Sequence, residues 1–254
     1  MKAKNLWTTI ILGAAALLVA APLTMAGTAP GTGIEDTAHD FSGRNAGGVT
    51  TGKCTFCHTP HRAIQTRLLW NHTLSANTFS WSDAAETQGG TPLPTIDPSW
   101  TGPTKFCLSC HDGSVAIGDI AWFNKQTWVG NPVDNTTHGA GDPVNIGLGG
   151  DMAGNHPVAH PFPFQGSAST YNGTTTGAPA LLSGWQPDPQ ANGIRLFHED
   201  ALGTVAAGAV VGNTGIECSS CHDPHNGAGV QDVFFLRGEI GDGPDYICTK
   251  CHNK

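Results

Sequence analysis

The longest hydrophobic stretch of the chain lies near its N-terminus. The segment LWTTIILGAAALLVAAPLTMA (6–26) follows Lys2 and Lys4 and ends in small residues. A basic start, an apolar centre and a small-residue end are typical of a secretory signal peptide. We therefore expect residues 1–26 to be a signal peptide that is cleaved after Ala26. A retained membrane anchor, which takes about 20 apolar residues, is the alternative.

The remaining pattern of apolar and polar positions predicts only short elements. NGIRLF (192–197) and TVAAGAVV (204–211) have the composition of strands, and VAIGDIAWF (115–123) predicts the extension of a short helix. The chain has 34 glycines and 17 prolines among its 254 residues, a composition that disfavours long helices and sheets. We expect a mostly irregular backbone whose core is built from something other than packed helices or sheets.

All eight cysteines fall in four copies of the pattern Cys-x-x-Cys-His. The copies are CTFCH (54–58), CLSCH (107–111), CSSCH (218–222) and CTKCH (248–252). This spacing is the attachment signature of c-type haem. Two thiols three residues apart on one helical turn reach the two vinyl groups on one edge of a porphyrin, and the next histidine donates its imidazole to the iron. We therefore predict four covalently attached haem c groups, with a short helical turn at each motif.

Each motif supplies two thioether-forming cysteines and one proximal histidine. The residues are Cys54, Cys57, Cys107, Cys110, Cys218, Cys221, Cys248 and Cys251, with His58, His111, His222 and His252. Four disulfides are possible in an exported protein, but they leave the four histidines unexplained. Zinc ribbons place paired motifs about 15–20 residues apart, whereas these start 53, 111 and 30 residues apart. Thioredoxin-like redox pairs would not occur in fours.

The second axial ligand of each iron is predicted to be histidine. Only Met152 remains as a methionine after residues 1–26, whereas eight histidines are not proximal ligands. These eight are His39, His61, His72, His138, His156, His160, His198 and His225. We expect bis-histidine haems, which lie toward the low-potential end and are closed to substrates.

Two motifs carry a second histidine three residues after the proximal one, in CTFCHTPH (54–61) and CSSCHDPH (218–225). Three residues span at most about 11 Å, which is less than the separation of two histidine Cα atoms on opposite faces of a haem. His61 and His225 therefore cannot bind the iron of their own motif, and we expect each to bind a neighbouring one. The proline between the two histidines stiffens the link. Each such motif would hold two haems close together.

Two histidines compete for one position in the long insert between the second and third motifs (112–217). His156 in GNHPVAH is the favoured ligand because the proline after it restricts its backbone. His160, which also precedes a proline, is its competitor. Outside the insert, His39 lies on an arm after the cleavage site that we expect to be mobile, and His72 in LLWNHTLS is a further candidate.

The ordered motifs resemble those of one family of exported cytochromes. TAHDFSG, CTFCHTPH, LLWNHTLS, CLSCHDGSVAIGD, NHPV, CSSCHDPHNG and FFLRG before CTKCH follow one another from about residue 35 to residue 252. This set is similar to that of the tetrahaem c-type cytochromes of metal-reducing bacteria, and in particular to the outer-surface, filament-forming OmcE group. The resemblance implies haems stacked in a continuous line, bis-histidine ligation throughout, and one distal histidine supplied by the neighbouring subunit.

Carried onto this chain, the resemblance implies four distal ligands and two further candidates. The distal ligands are His39, His61, His156 and His225, and the further candidates are His72 and His160. His39 is the candidate for the ligand given in trans. The resemblance also implies a multihaem cytochrome c fold in a single domain (27–254) with a core of stacked haems. We expect the six tryptophans after residue 26 to pack against the porphyrin faces.

Charge and ligand supply limit the function classes. Residues 1–26 carry two lysines and no acid, so the rest of the chain has 10 Lys and Arg against 20 Asp and Glu, a net charge of −10. Such a surface argues against nucleic acids and anionic membranes as partners, and no later segment resembles a membrane span.

We therefore expect electron transfer and no enzyme activity. The favoured form is the subunit of an extracellular conductive filament, a homopolymer that passes electrons to redox proteins or extracellular metal oxides. A soluble periplasmic shuttle is the alternative. A multihaem reductase would need an open iron, and the surplus of histidines argues against it.

Overall fold

The structure, a computed structural model, describes six stretches of the chain. They are residues 29–42, 52–115, 117–121, 146–177, 183–241 and 243–253. The predicted signal peptide, its cleavage site and His138 lie outside these residues. Within the described stretches, no helix is both long and apolar enough to cross a bilayer.

Three short α-helices and a 3₁₀ turn carry the Cys-x-x-Cys-His motifs. Helices α1 (Gly52–Thr55), α2 (Pro103–His111) and α3 (Cys218–Cys221) are followed by the 3₁₀ turn Ile247–Lys250. Further 3₁₀ turns cover Arg67–Leu69, Leu148–Gly150, Phe164–Gly166 and Pro189–Asn192. The described backbone is otherwise mostly irregular.

Helix α2 starts and stops for local reasons. Pro103 occupies its first turn, where a missing N–H costs nothing. The helix ends at His111, and Gly113 then adopts φ +67°, a left-handed conformation that ends helices. The extension predicted over 115–123 is therefore absent from the described residues, because residues 117–121 form turns and a single bridge between Ile120 and His72.

The insert between the second and third motifs contributes to two small antiparallel sheets. The first has the order β1 (His160–Pro161), β6 (Gly215–Ile216), β4 (Phe197–Glu199) and β5 (Val205–Ala207). The second pairs β2 (Thr170–Tyr171) with β3 (Thr174–Thr175). The strand predicted at 192–197 begins only at Phe197, because Pro189–Asn192 forms a 3₁₀ turn that Gly193 closes at φ +86°.

Four small apolar clusters replace a single large core. The largest contains Phe79, Trp81, Ile96, Leu108, Met152 and Ala159, and the second contains Phe162, Phe164, Ile194, Leu196 and Ile216. Two others surround Phe56 and Tyr171. Met152 is 1% exposed inside the first cluster, so its thioether serves packing. Motif residues take part in these clusters: Leu108 belongs to the first and Phe56 to the third, while Cys251 packs against the second.

Candidate haem-binding site

Each motif closes one helical turn. In the first, third and fourth motifs the histidine N–H donates to the carbonyl oxygen of the first cysteine. The distances are 2.9 Å for His58 to Cys54, 3.0 Å for His222 to Cys218 and 2.9 Å for His252 to Cys248. The second motif lies within α2. Residues three apart on such a turn lie on one face of it, so each pair of thiols can reach one edge of a flat ligand.

The motif thiols differ in the direction in which their surroundings shift the pKa. All eight cysteines are described, and all eight are free of disulfide bonds. Burial raises the pKa of Cys57 and Cys110 to about 12 and that of Cys221 to about 11. Thiol–disulfide catalysts need the opposite shift, because the thiolate is the nucleophile. Cys218 has that shift, since its contact with the Cys107 thiol lowers its pKa. In the part of the chain that the structure describes, no three His, Cys, Asp or Glu side chains converge as a zinc site requires.

Cysteines of successive motifs lie next to one another. The pairs are Cys57 with Cys110, Cys107 with Cys218, and Cys221 with both Cys248 and Cys251. The thiols of Cys107 and Cys218 are in hydrogen-bonding contact. Groups attached at neighbouring motifs would therefore be held close together along the chain.

Three of the four proximal histidines face a second imidazole of the same chain. The distances between ring centroids are 6.1 Å for His58 and His225, 6.1 Å for His111 and His39, and 6.4 Å for His252 and His156. Two imidazoles bound to one metal at about 2 Å each would hold their centroids roughly 6 Å apart. Aromatic pairs in general span about 4.5–7 Å, so the recurrence at three motif histidines is the informative feature.

Backbone carbonyls set the tautomer of these rings. The Nδ1 atom lies within 2.6–3.2 Å of a carbonyl oxygen in His58 (Leu68), His222 (Phe234), His39 (Pro224) and His156 (Pro157). A carbonyl oxygen only accepts hydrogen bonds, so each Nδ1 carries the proton and each Nε2 keeps its lone pair. Metal-binding histidines are commonly oriented in this way.

The N-terminal arm that carries His39 is anchored, contrary to the expectation that it is mobile. The buried Asn226 side chain accepts a hydrogen bond from Gly31 N and donates to the carbonyls of Ala29 and Gly33. The His39 ring also stacks on Phe235, with centroids 4.7 Å apart. Burial, followed by the neighbouring His111, lowers the pKa of His39 to about 4, so its imidazole is neutral at pH 7 and can act as a ligand.

Three separate backbone segments, which we call return segments, each pair with one motif. They are residues 68–71 for the first motif, 234–237 for the third and 184–186 for the fourth. In each case the second motif cysteine accepts a backbone hydrogen bond, from Asn71 to Cys57 (2.9 Å), Arg237 to Cys221 (2.8 Å) and Gln186 to Cys251 (2.8 Å). The first two return segments also supply the carbonyls that hold His58 and His222. These motifs therefore share one supporting structure.

Two of the predicted haem-packing tryptophans lie in return segments. The ring centroid of Trp70 is 5.8 Å from that of His58, and the ring centroid of Trp185 is 4.3 Å from that of His252. These indoles therefore pack beside the imidazoles of the first and fourth motifs.

The other candidate histidines differ in exposure. His61 is exposed on the surface. His72 is buried, and its Nδ1 lies 2.7 Å from the Thr73 carbonyl oxygen. His160 is buried next to β6, and burial lowers its pKa to about 4. The His160 Nε2 atom has no hydrogen-bond partner among the described residues, yet it is His156 that faces the proximal His252.

Glu217 joins the second and third motifs, and its role was not foreseen from the sequence. Its carboxylate accepts hydrogen bonds from Thr104 N at 2.9 Å, the Tyr171 hydroxyl at 2.6 Å and the Trp100 indole at 3.2 Å. Burial raises the pKa of Glu217, and these hydrogen bonds oppose the rise. Because Thr104 begins α2 and Glu217 precedes Cys218, the carboxylate fixes the two motifs relative to each other.

Buried donors without partners lie close to the motifs. Among the described residues they are Arg67 Nη1, Trp70 Nε1, Ser219 Oγ and both Nε and Nη2 of Arg237. Buried polar groups are normally paired. Their excess of N–H and O–H groups fits a bound group that brings acceptors, as the carboxylates of haem would. The thiol pairs at four motifs, the imidazole pairs at three of them and these donors are the features that a c-type haem would use. No protein-family model and no curated protein matches this chain.

Proposed function

We propose that the chain is a tetrahaem c-type cytochrome that transfers electrons through closely spaced bis-histidine haems. The observation that carries this proposal is the repeated approach of a second imidazole to within 6.1–6.4 Å of a motif histidine. It is supported by the carbonyl contacts that leave the Nε2 lone pairs free. When bound, haem supplies one-electron chemistry at iron.

The protein's own residues would hold, orient and shield the haems. The motif cysteines attach the cofactors, and the carbonyls of the return segments keep His58 and His222 in the ligating tautomer. We propose the axial pairs His58 with His225, His111 with His39, and His252 with His156. Since His225 belongs to the third motif and faces the histidine of the first, this pairing ties the two motifs together, as its spacing in the sequence predicts.

The fourth axial pair is proposed to form between subunits. Among the described residues, His222 is the one proximal histidine without a second imidazole at that distance. The sequence made His39 the candidate for a ligand in trans, but its ring packs against its own chain beside His111. His61 is exposed, and we propose that it reaches the iron held by His222 of a neighbouring copy. All four distal ligands expected from the sequence then keep a role.

The test of the proposal starts from the intact mass of the exported protein, which should exceed the mass of the polypeptide by four haems. His225→Ala should then open the iron at His58, because its facing imidazole is lost. A high-spin ferric signal and carbon monoxide binding to the reduced protein would report the open site. His198→Ala is the matched control, since among the described residues no motif histidine faces His198, and its Nδ1 lies 3.1 Å from Gly208 O. A mass equal to the polypeptide, or a fully low-spin His225→Ala variant, would overturn the proposal.

A homopolymer outside the cell is the form we propose, with redox proteins and extracellular metal oxides as electron partners. A soluble periplasmic shuttle is the alternative, and sedimentation separates them because a polymer pellets and a shuttle does not.

The position facing His222 favours a second candidate, a multihaem reductase, if no histidine fills it. Carbon monoxide binding by the assembled wild-type protein would support that reductase, whereas its absence supports the closed conductor.

A further inference from the structure

Arg237 is a buried cation in the return segment of the third motif. It is 9% exposed, and its backbone N–H donates to the Cys221 carbonyl oxygen at 2.8 Å. Its Nε and Nη2 atoms are fully enclosed and have no hydrogen-bond partner among the described residues. Buried guanidinium groups are almost always paired, so these two donors point to an acceptor that comes from a bound group.

The two unpaired atoms define the chemistry of that acceptor. Nε and Nη2 lie on the same edge of the guanidinium, and their two parallel N–H groups match the two oxygens of a carboxylate. A single hydroxyl or carbonyl oxygen could accept from both only through bent hydrogen bonds. The edge is therefore shaped for a carboxylate that binds through both oxygens.

Asp223 does not fill this role. Its Oδ2 lies 3.3 Å from Arg237 Nη2, close enough to balance charge, but the N–H does not point at it in hydrogen-bonding geometry. The backbone N–H of His225 donates to Asp223 Oδ1 at 3.1 Å, so Oδ2 is the oxygen that lies beside Arg237. Burial lowers the pKa of Arg237 and Asp223 raises it. The cation is thus neutralised by Asp223, while its donor edge is left for another group.

The surroundings favour an anion. The buried Lys250 ammonium donates to the Arg237 carbonyl oxygen at 2.8 Å. The carboxylate of Asp245 lies 4.0 Å from the same ammonium. Arg195 also lies near Arg237, but its side chain is exposed to solvent, where its charge is screened. Cys221 of the third motif and Lys250 of the fourth flank the site. In a chain of net charge −8, these cations are concentrated at the junction between the third and fourth motifs.

We propose that the Nε and Nη2 edge of Arg237 binds a propionate carboxylate of a haem held at this junction. This inference rests on the proposed function, because it needs haem to be attached. Haem brings carboxylates into the protein interior, whereas the carboxylate oxygen of the chain beside this edge, Asp223 Oδ2, lies 3.3 Å from Nη2 without hydrogen-bonding geometry. The bound propionate would stay ionised beside the guanidinium. Removal of the guanidinium would leave the haem in a less positive environment.

The experiment compares three variants of the full-length exported holoprotein. Arg237→Lys keeps the charge but loses the two-pronged edge, Arg237→Gln loses both, and Arg195→Gln removes an exposed neighbouring charge as the matched control. Intact mass first verifies four haems in each protein. Resonance Raman spectroscopy then reads the propionate bending bands, and a redox titration reads the haem potentials.

Arg237→Lys and Arg237→Gln should both shift a propionate band, and Arg237→Gln should also lower the potential of one haem. Arg195→Gln should leave the band where it is in the wild type. Unchanged bands in both Arg237 variants, with four haems attached, would overturn the proposed binding of a propionate by Arg237 and leave the proposed function intact. A wild-type mass without haem would instead overturn the proposed function. A band shift in the polymer but not in dispersed subunits would assign the propionate to a haem of a second copy and overturn its assignment to a haem of the same chain.

Discussion

At the scale of single residues, one buried carboxylate links two of the four motifs. Glu217 is 1% exposed and accepts hydrogen bonds from the start of α2 and from the side chains of Trp100 and Tyr171. Those hydrogen bonds offset only part of the cost of burying a charge, because burial still raises the pKa of the carboxyl. The buried Glu217 therefore lowers the stability of the fold, while it fixes the spacing between the second and third motifs.

The raised pKa of Glu217 predicts a pH dependence. The folded protein holds the Glu217 proton more tightly than the unfolded chain, whose ordinary pKa is 4.5. The contribution of this group to the free energy of unfolding therefore falls as the pH rises from about 4.5 through the raised folded pKa. Glu217→Gln removes the titration. The stability of the wild type minus that of Glu217→Gln should thus decrease over that range in denaturant unfolding.

Other acids titrate in the same range, so the comparison needs a matched control. Glu86 is exposed, so Glu86→Gln makes the same chemical change at the surface, without burial, and is measured alongside. A Glu217→Gln difference that is flat, or that grows as the pH rises, would contradict the buried-carboxylate account.

At the scale of elements, the return segment turns sharply before it pairs with its motif. Leu69 in the first return segment has φ +53°, and Phe235, at the equivalent place in the third, has φ +62°. Each supplies the carbonyl that accepts the N–H of the residue after the proximal histidine, Thr59 or Asp223, at 2.8 Å. Residues with a Cβ rarely adopt this conformation. The same turn at both motifs indicates that the backbone hydrogen bonds and the histidine contact outweigh its strain.

This strain predicts the order of two substitutions at Leu69. The side chain is 45% exposed, so its loss costs little packing. Leu69→Ala keeps the left-handed strain, whereas Leu69→Gly relieves it, and the glycine variant should be more stable by about 1 kcal/mol. At Leu202, which is 89% exposed and is not a positive-φ residue, the order should reverse, because glycine there only adds unfolded-state freedom. Denaturant unfolding of the four variants tests this, and a less stable Leu69→Gly would exclude strain at the turn.

At the scale of the whole molecule, the four motifs take the place of a continuous apolar core. Among the described residues the apolar clusters are small and separate, and motif cysteines pack against two of them. If haems occupy the motifs as proposed, they add the large apolar surfaces that this glycine-rich chain lacks. The attached groups would then be structural as well as functional.

Assembly is predicted to depend on His61. If His61 of one copy faces His222 of the next, His61→Ala should leave isolated subunits that no longer pellet on ultracentrifugation and that bind carbon monoxide at one iron. His198→Ala should assemble as the wild type does, because this half-buried ring is bonded within its own chain. A His61→Ala protein that pellets normally and stays closed to carbon monoxide would reject the role of His61 in trans.

The sequence by itself determined the local features: four Cys-x-x-Cys-His motifs, helical turns at those motifs, short strands and mostly irregular backbone. These depend on residues within one turn of each other, so spacing alone predicts them, and the haems that they imply remain a prediction. Only the tertiary structure decided which imidazole faces which motif, that Asn226 anchors the arm of His39, and that the return segment of the fourth motif lies at 184–186, about 60 residues earlier in the chain. Glu217 and Arg237 also depend on contacts between distant segments, and no local pattern encodes such contacts.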